Sequence, residues 1–510
     1  MTILRGVKSL NGYPPGLYIN EQAVPQSNDV KTKDFVLGFV GAFDRGPINQ
    51  YVLASETPAK RLVELVESVL GRKIAGKKGN DLLDHLDRAK AKKVVFVRVL
   101  GSGYATASLV LKDRQAVPKD TLRIKPKAGP GVYANIFTGE VADGTESNTL
   151  KLTLWSDIGG FEIYDNLSMD PANARYVVNV VNSQSQHFEV EDLNSGAASF
   201  TEARPGVKAT TQLTGGLDGA ALTENDYAGT YNAGTGARTG LKLLEITGTL
   251  VTDVAYIDFS SPTADDALRS FGEKYNCATY CGTSTATNVD DAIAYRDTYD
   301  TDFMQMVMAR YKSVTGQWIS GACLSAVAHV IGNVEDSGLA VECHWVAGTD
   351  IPLDFDQYTK LYSKQISAFQ LKPSAAGDGS LAWRMANDYT LAKTDVEGNI
   401  VADDENRKVN KRRLNSWIEK ALEVVAAPWQ GKAMTKKMKG DAERRIRTFF
   451  DNLVKPNNEQ ETSKLEAYSV AFNDSAAKID QFVQDIKVKH YNTADWILLN
   501  FQGGTNVEVA

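Results

Sequence analysis

Between about Gly101 and Gly219 the chain changes its hydrophobic rhythm and then changes back. This interruption narrows the possible architectures more than any other feature. Before it, Phe35 to Val40 is apolar throughout, Leu62, Val63, Val66 and Leu70 share one face within Pro58 to Leu70, and Lys93 to Leu100 reads KVVFVRVL. Asp81 to Lys90 predicts a second helix, capped by Asn80. Unbroken apolar runs mark strands buried on both faces, and strand–helix–helix–strand opens an α/β layer domain. Inside the interruption, short alternating runs recur at Thr121 to Lys125, Ala134 to Phe137, Leu150 to Trp155, Gly160 to Tyr164, Arg175 to Val181 and His187 to Val190. A period of two with Gly, Asn, Asp and Ser between the runs predicts strands and turns, hence an all-β barrel or sandwich. Behind Leu217-Asp218-Gly219 the α/β texture returns, with a strand at Val254 to Phe259, a helix at Thr263 to Tyr275, an apolar run at Asp302 to Arg310 and a weakly polar helix over Ser313 to Val334.

The two ends differ from this middle part. Tyr13-Pro-Pro-Gly16 is a turn signal, Leu17-Tyr18-Ile19 is β-prone, and Glu21 to Lys33 has linker composition. Towards the other end, Arg412 to Val425 and Gly440 to Leu453 each carry an apolar stripe at helical spacing, and strands are expected at Ile486 to Tyr491 and Asp495 to Phe501. The expected organisation is an arm and linker at 1–33, a middle α/β domain from 34–100 plus 220–370, a β-rich insertion at 101–219, and a C-terminal α/β domain at 371–510. The fold class is mixed α+β and α/β, in several domains.

Charge and composition exclude several function classes. The 510 residues hold 56 Lys and Arg against 63 Asp and Glu, a net of −7. A nucleic-acid binder carries the opposite balance. Ser313 to Val334 lacks charge but contains Gln317, His329 and Asn333, so it reads as a buried core helix rather than a membrane span. No signal peptide is evident at the start, and four cysteines in so long a chain suit a reducing compartment.

No catalytic or cofactor motif is complete. Gly71 to Lys78 nearly spells a phosphate loop, but Lys78 stands where a metal-holding Ser or Thr belongs, and a helix rather than a strand precedes it. Cys277, Cys281, Cys323 and Cys343 have irregular gaps, unlike paired zinc ligands. The five histidines are scattered, and His329 reads as a core residue with its hydrogen bonds satisfied. There is neither a nucleophile elbow nor a dinucleotide fingerprint. Catalytic, cofactor and metal residues are therefore expected to be absent. An enzyme remains an alternative only through carboxylates that sequence cannot pair.

Two features go beyond a plain globular chain. Between Glu405 and Arg447 thirteen bases stand against five acids, Lys432, Lys436, Lys437, Lys439, Arg444, Arg445 and Arg447 among them. Such a stretch is either a solvated face or a docking surface for an acidic partner. The β-prone Leu17-Tyr18-Ile19 and Trp496-Ile497-Leu498-Leu499 lie near the ends. Short strands there either pair within their own domain or add to a neighbour's sheet.

Several stretches, taken in order, resemble one family. They are Pro15 to Glu21, Val40-Gly41 with Gly46 to Asn49, Leu53 to Gly71, Val94 to Val99, Gly129 to Gly131 with Asn135, Leu213 to Gly219 followed by Asp226-Tyr227, and Asn410 to Leu414. Together they are similar to the tail sheath proteins of contractile bacteriophages and related injection machines. The resemblance implies a homo-oligomer of stacked rings around an inner tail tube protein, metastable when extended, contracting to drive the tube through an envelope without a nucleotide. It implies baseplate and tail terminator proteins as partners, no nucleic acid, no membrane insertion, and a place in a virion tail assembled in the host cytoplasm. It also implies a C-terminal domain completed by the N-terminal arm and facing the tube with its basic surface. Leu17, Tyr18, Ile19 and Trp496 to Leu499 would then exchange between subunits, and the β insertion would lie outermost. A non-contractile tail or baseplate protein is the alternative.

Overall fold

The computed structural model describes residues 2–5, 18–21, 36–57, 60–73, 75–247, 251–392, 407–429, 435–455, 463–472 and 484–491. Residues up to Asp34 and from Trp417 to Tyr491 form the smaller of two compact units; Phe35–Ser416 forms the larger.

At the N-terminus Thr2–Arg5 (β1) and Tyr18–Glu21 (β2) pair in parallel, Thr2 opposite Tyr18 and Arg5 opposite Glu21. A two-stranded sheet is marginal by itself in water, and among the described residues no third strand extends this one.

The larger unit opens with Leu37–Gly41 (β3), Tyr51–Ser55 (β4), Leu62–Leu70 (α1), Lys78–Ala89 (α2) and Lys93–Arg98 (β5). Its interrupted stretch supplies Leu109–Lys112 (β6), Asp120–Pro126 (β7), Phe137–Asp143 (β8), Leu150–Ser156 (β9), Gly160–Leu167 (β10), Val177–Gln184 (α3), Phe188–Asp192 (β11), Phe200–Ala203 (α4) and Lys208–Gln212 (β12). Two antiparallel sheets result, in the orders β11-β7-β6 and β10-β9-β8-β12. Alternate residues of both, such as Leu122, Ile124, Leu152, Leu154 and Phe188, fill one shared core.

The chain then returns through Glu224–Ala228 (α5), Asp253–Tyr256 (β13), Pro262–Tyr275 (α6), Ala278–Cys281 (β14), Val289–Arg296 (α7), Met304–Val307 (β15), Arg310–Ser313 (β16), Trp318–Ser320 (β17), Gly321–Ile331 (α8), Val346–Thr349 (β18), Phe355–Ser363 (α9), Ile366–Ser367 (β19), Phe369–Pro373 (β20) and Leu381–Met385 (β21). Strands from both sides of the interruption join in one seven-stranded sheet, β19-β15-β14-β13-β3-β5-β4. All its pairings are parallel except β4 with β5. Period-two alternation sends Leu37, Phe39, Val94, Phe96 and Ala255 to one face, among Val66, Leu82, Leu86 and Leu324. It sends Val40, Val95, Val97, Val254 and Tyr256 to the other, among Leu244, Leu268 and Phe271. Covering both faces is what a parallel sheet requires.

The β sandwich is tied to this sheet through the loop after β3, which Arg98 of β5 holds in place. The Arg98 guanidinium, 2% exposed, donates to the carbonyls of Phe43 (3.1 Å), Gly46 (2.8 Å) and Asp44 (3.2 Å). The Gly46 amide in turn donates to Ala128 O at 2.7 Å. Asp44 Oδ1 accepts from the Ala134 amide at 2.7 Å. Asp218 accepts from the Val132 amide and pairs with Lys77.

Val409–Ala426 (α10) passes from the larger unit into the smaller, which continues with Lys436–Val454 (α11), Ala467–Phe472 (β22) and Gln484–Lys489 (β23). Within the smaller unit Trp417, Phe449, Phe450 and Tyr468 form a chain of ring contacts, the first tilted, the second edge-on and the third stacked. The strands form an antiparallel pair, Ala467 opposite Lys489. The strand expected over Asp495 to Phe501 lies outside the described residues.

Four local expectations are corrected. Ala134 to Phe137 is not a strand: Ala134 and Asn135 form a bend and β8 begins only at Phe137. Ser313 to Val334 is not one helix: β16 and β17 form a hairpin around Gly316 (φ +94°), and α8 begins only after the Ser320 cap. Arg175 to Val181 is not a strand, because Val177, Val180 and Val181 are buried along a helix. Asn80 does not cap α2; it lies inside the helix, accepting from the Asp44 amide and donating to Leu70 O and Arg72 O.

Candidate functional site

In open α/β sheets a ligand binds beyond the C-terminal ends of the strands, where the strand order reverses. Here that point lies between β3 and β13, and it is filled. The Gly79 amide of α2 donates to Ala42 O at 2.8 Å. A Cβ on Gly79 would lie 2.5 Å from that oxygen and 2.6 Å from the Phe43 ring. Asp258, just beyond β13, binds Arg310 at 2.7 Å and Lys78 at 3.4 Å. Burial, with Lys78 opposing it, pushes the neighbouring Asp81 carboxyl up to about 6. The phosphate-loop look-alike is committed elsewhere: Gly71 ends α1 at φ +95°, Lys77 is held by Asp218, and Lys78 by Asp258.

One arrangement looks catalytic by connectivity. His329 Nε2 lies 2.8 Å from Asp388 Oδ1, and His329 Nδ1 lies 3.3 Å from Ser325 Oγ. All three residues are buried, at 2%, 3% and 0% exposure. Nδ1 is also 2.9 Å from the Ser325 carbonyl. Asp388 accepts from Ser337 Oγ and the Gly338 amide as well. Although burial works the other way, His329 and these donors keep the Asp388 carboxyl below its usual range. A hydroxyl without solvent access meets no substrate, so this network braces α8 against the segment after β21. The four cysteines are buried free thiols; burial pushes Cys323 up to about 12. Among the described residues no group of three or more His, Cys, Asp or Glu is placed to hold a metal, and no helix is long and apolar enough to cross a membrane.

The arm residues Tyr18 and Ile19 stand in β2, opposite Thr2 and Ile3 of the same chain. Leu17 and Trp496, Ile497, Leu498 and Leu499 lie outside the described residues, as does Lys432.

The basic stretch divides. Arg413, 2% exposed, is ion-paired with Asp253 at 2.7 Å, and the Tyr280 hydroxyl donates to the same carboxylate at 2.8 Å. Lys411 and Lys420 are buried too, and Arg412 lies over the Phe303 ring while pairing with Asp302. These four do not belong to a docking surface. Arg407 lies over the Tyr389 ring and Lys408 bridges to Tyr389 through its backbone; on α11, Lys436 and Lys437 are exposed, Lys439 is half-buried, Arg444 pairs with Asp441, Arg447 with Glu443, and Arg445 lies over Trp429. The first turn of α11 holds lysines and no acid, which opposes the helix dipole. Sequence reasoning missed the Arg98–Asp44 clamp; an arginine closing an otherwise apolar strand was its signal.

No protein-family model matches the chain, and no curated protein matches it significantly in sequence. Solved structures do. The sheath tail protein Lin1278 from Listeria innocua is similar over 91% of this chain and 93% of its own, with TM-score 0.61 and 14% identity. A sheath tail protein from Desulfitobacterium hafniense is similar over 93% and 100%, with TM-score 0.56 and 14% identity. The helical sheath of the anti-feeding prophage in its contracted state is similar over 96% and 98%, with TM-score 0.50 and 11% identity. The mixed α/β architecture is thus a sheath-protein fold. In particular, this chain has the fold of the sheath tail proteins, in agreement with the resemblance carried by its motifs.

Proposed function

We propose that the chain is the structural subunit of a contractile tail sheath. Copies polymerise around an inner tube in a metastable extended state, and contraction drives the tube through the target envelope. The observation that carries this reading is the likeness to sheath proteins along more than nine-tenths of the chain, a contracted helical sheath among them. The filled crevice at the strand ends supports a structural rather than a catalytic role. Residues 34–100 with 220–370 form the middle domain in this reading, 101–219 the outermost insertion, and 371–510 the tube-proximal domain. The partners are further copies, the tube protein, the baseplate and the terminator, in a virion tail assembled in the host cytoplasm.

The N-terminal ribbon supports strand exchange. A parallel pair with no third strand among the described residues is incomplete on physical grounds, because parallel sheets persist when extended and covered. Tyr18 and Ile19 are assigned to main-chain pairing with a neighbouring copy, and Leu17 and Trp496 to Leu499 to the same role. Purified protein should form hollow helical cylinders by negative-stain microscopy. Deletion of residues 1–20 should leave folded monomers that no longer polymerise. A full-length chain that stays monomeric at high concentration would overturn the sheath reading; normal polymers from the truncated chain would overturn the arm assignment alone.

A further inference from the structure

The seven-stranded sheet ends with opposite charge on its two sides. At one lateral edge β4 exposes Tyr51 and Leu53, and its corner gathers Lys60, Arg61, Lys90, Lys92 and Lys93. The backbone brings them together. Ser55 lies opposite Lys93 in the ladder, the Glu56 amide donates to Lys92 O, and Lys60 closes a turn on Thr57. Arg61 is matched by Glu64 and Asp87. Lys60, Lys90, Lys92 and Lys93 have no acidic partner among the described residues, and the first three of these are exposed.

At the other lateral edge β19 is flanked by α7 and α9, which pack on it and on each other. Asp290, Asp291, Asp297, Asp300, Asp354 and Asp356 are exposed there, with Phe355 83% exposed among them. Among the described residues the exposed cations on this layer are Lys360 and Lys364, at 3.7 Å from Asp290 and 3.9 Å from Asp297; the buried Arg296 of α7 also acts on Asp297 and Asp300. A basic corner and an acidic face thus stand about 30 Å apart, the width of seven strands at their usual spacing.

We propose that these two edges bind one another between copies: the Lys60–Lys93 corner of one copy docks on the α7–α9 face of the next. The inference rests on the reading of the chain as a self-assembling subunit, and names the charged contact that orders it. A two-fold contact would set like against like, with lysines facing lysines or aspartates facing aspartates. The complementary contact is head-to-tail. It leaves each copy with one unused edge and repeats into a ring or a helix. Charge of this kind fixes register and rejects wrong partners more than it adds raw affinity, and it weakens with salt.

The test uses two full-length variants. Lys60→Glu/Lys90→Glu/Lys92→Glu makes both edges acidic; Asp290→Lys/Asp291→Lys/Asp356→Lys makes both basic. Each alone should raise the critical concentration for polymerisation about tenfold or more at low salt. The two mixed in equal amounts should co-assemble, since each then meets its complement. Circular dichroism of each variant checks that it is folded. If wild type polymerises and either folded variant does so equally well, or if the mixture shows no co-assembly by sedimentation, the inference fails while the sheath reading stands. If wild type does not polymerise at all, both fail.

Discussion

Asp265 is the residue whose chemistry is most exposed to test. It is fully buried, and Ser260 Oγ and the Tyr295 hydroxyl both donate to Oδ2, at 2.5 and 2.6 Å. Oδ1 has no partner among the described residues. Burial pushes the carboxyl up to about 7 from an ordinary 3.8, and the two hydroxyls only partly oppose it. A raised folded value means that the native state favours the neutral acid. The contribution to stability is therefore whole below about pH 4 and is lost as pH rises towards 7. Asp265→Asn stays neutral throughout, so its stability relative to wild type should rise by about 2–3 kcal/mol between pH 5 and pH 8. Urea unfolding at the two pH values measures this, and a constant gap would show that Asp265 is charged in the fold. Nothing in the sequence marked this aspartate, which sits in the first turn of α6 where acids are common. Its character comes from Tyr295, thirty residues away. The same limit applied to Arg413. It was counted as surface charge although it stands four residues before Trp417, on the stripe that turns inward.

Among the elements, α2 shows how a helix can close a sheet. Its second residue is Gly79, where any side chain would strike Ala42 O and the Phe43 ring. Gly79→Ala should cost about 1–3 kcal/mol by overpacking. Gly440→Ala in α11, where nothing lies within 4 Å of the added methyl, should instead stabilise by up to about 1 kcal/mol. Thermal denaturation of the two variants gives the comparison; shifts of equal sign would mean that α2 does not seal the strand ends as described. Element types were legible wherever period alone decided, as in β5, β9, α6 and α11. They were illegible where a run merely lacked charge. Ser313 to Val334 gave no period, and the Thr315-Gly316 turn that splits it is short. Val177, Val180 and Val181 fit a helix as well as a strand over so few residues.

At the scale of the whole molecule, the order of motifs carried the fold class, because an α/β sheet interrupted by a β insertion leaves few topologies. Which surfaces meet other copies was not legible, since charge read along a chain does not reveal which edge of a sheet it occupies. The basic part of α11 belongs at this scale. If it faces the tube, reversing Lys436, Lys437, Arg444 and Arg445 should weaken co-assembly with tube protein more than association between sheath subunits. Equal tube affinity in a pelleting assay would return these residues to the role of a solvated face.

The Arg98 clamp has a mechanical consequence. Three carbonyls of the loop after β3 are held on one guanidinium, and from that loop Asp44 and Gly46 reach across to Ala134 and Ala128, tying the sandwich to the sheet. If the chain works as the proposed contractile subunit, the sandwich should turn together with the sheet. A dye or short tag carried in the exposed turn at 145–148 would then report the rotation of the subunit itself, without slack from a tether.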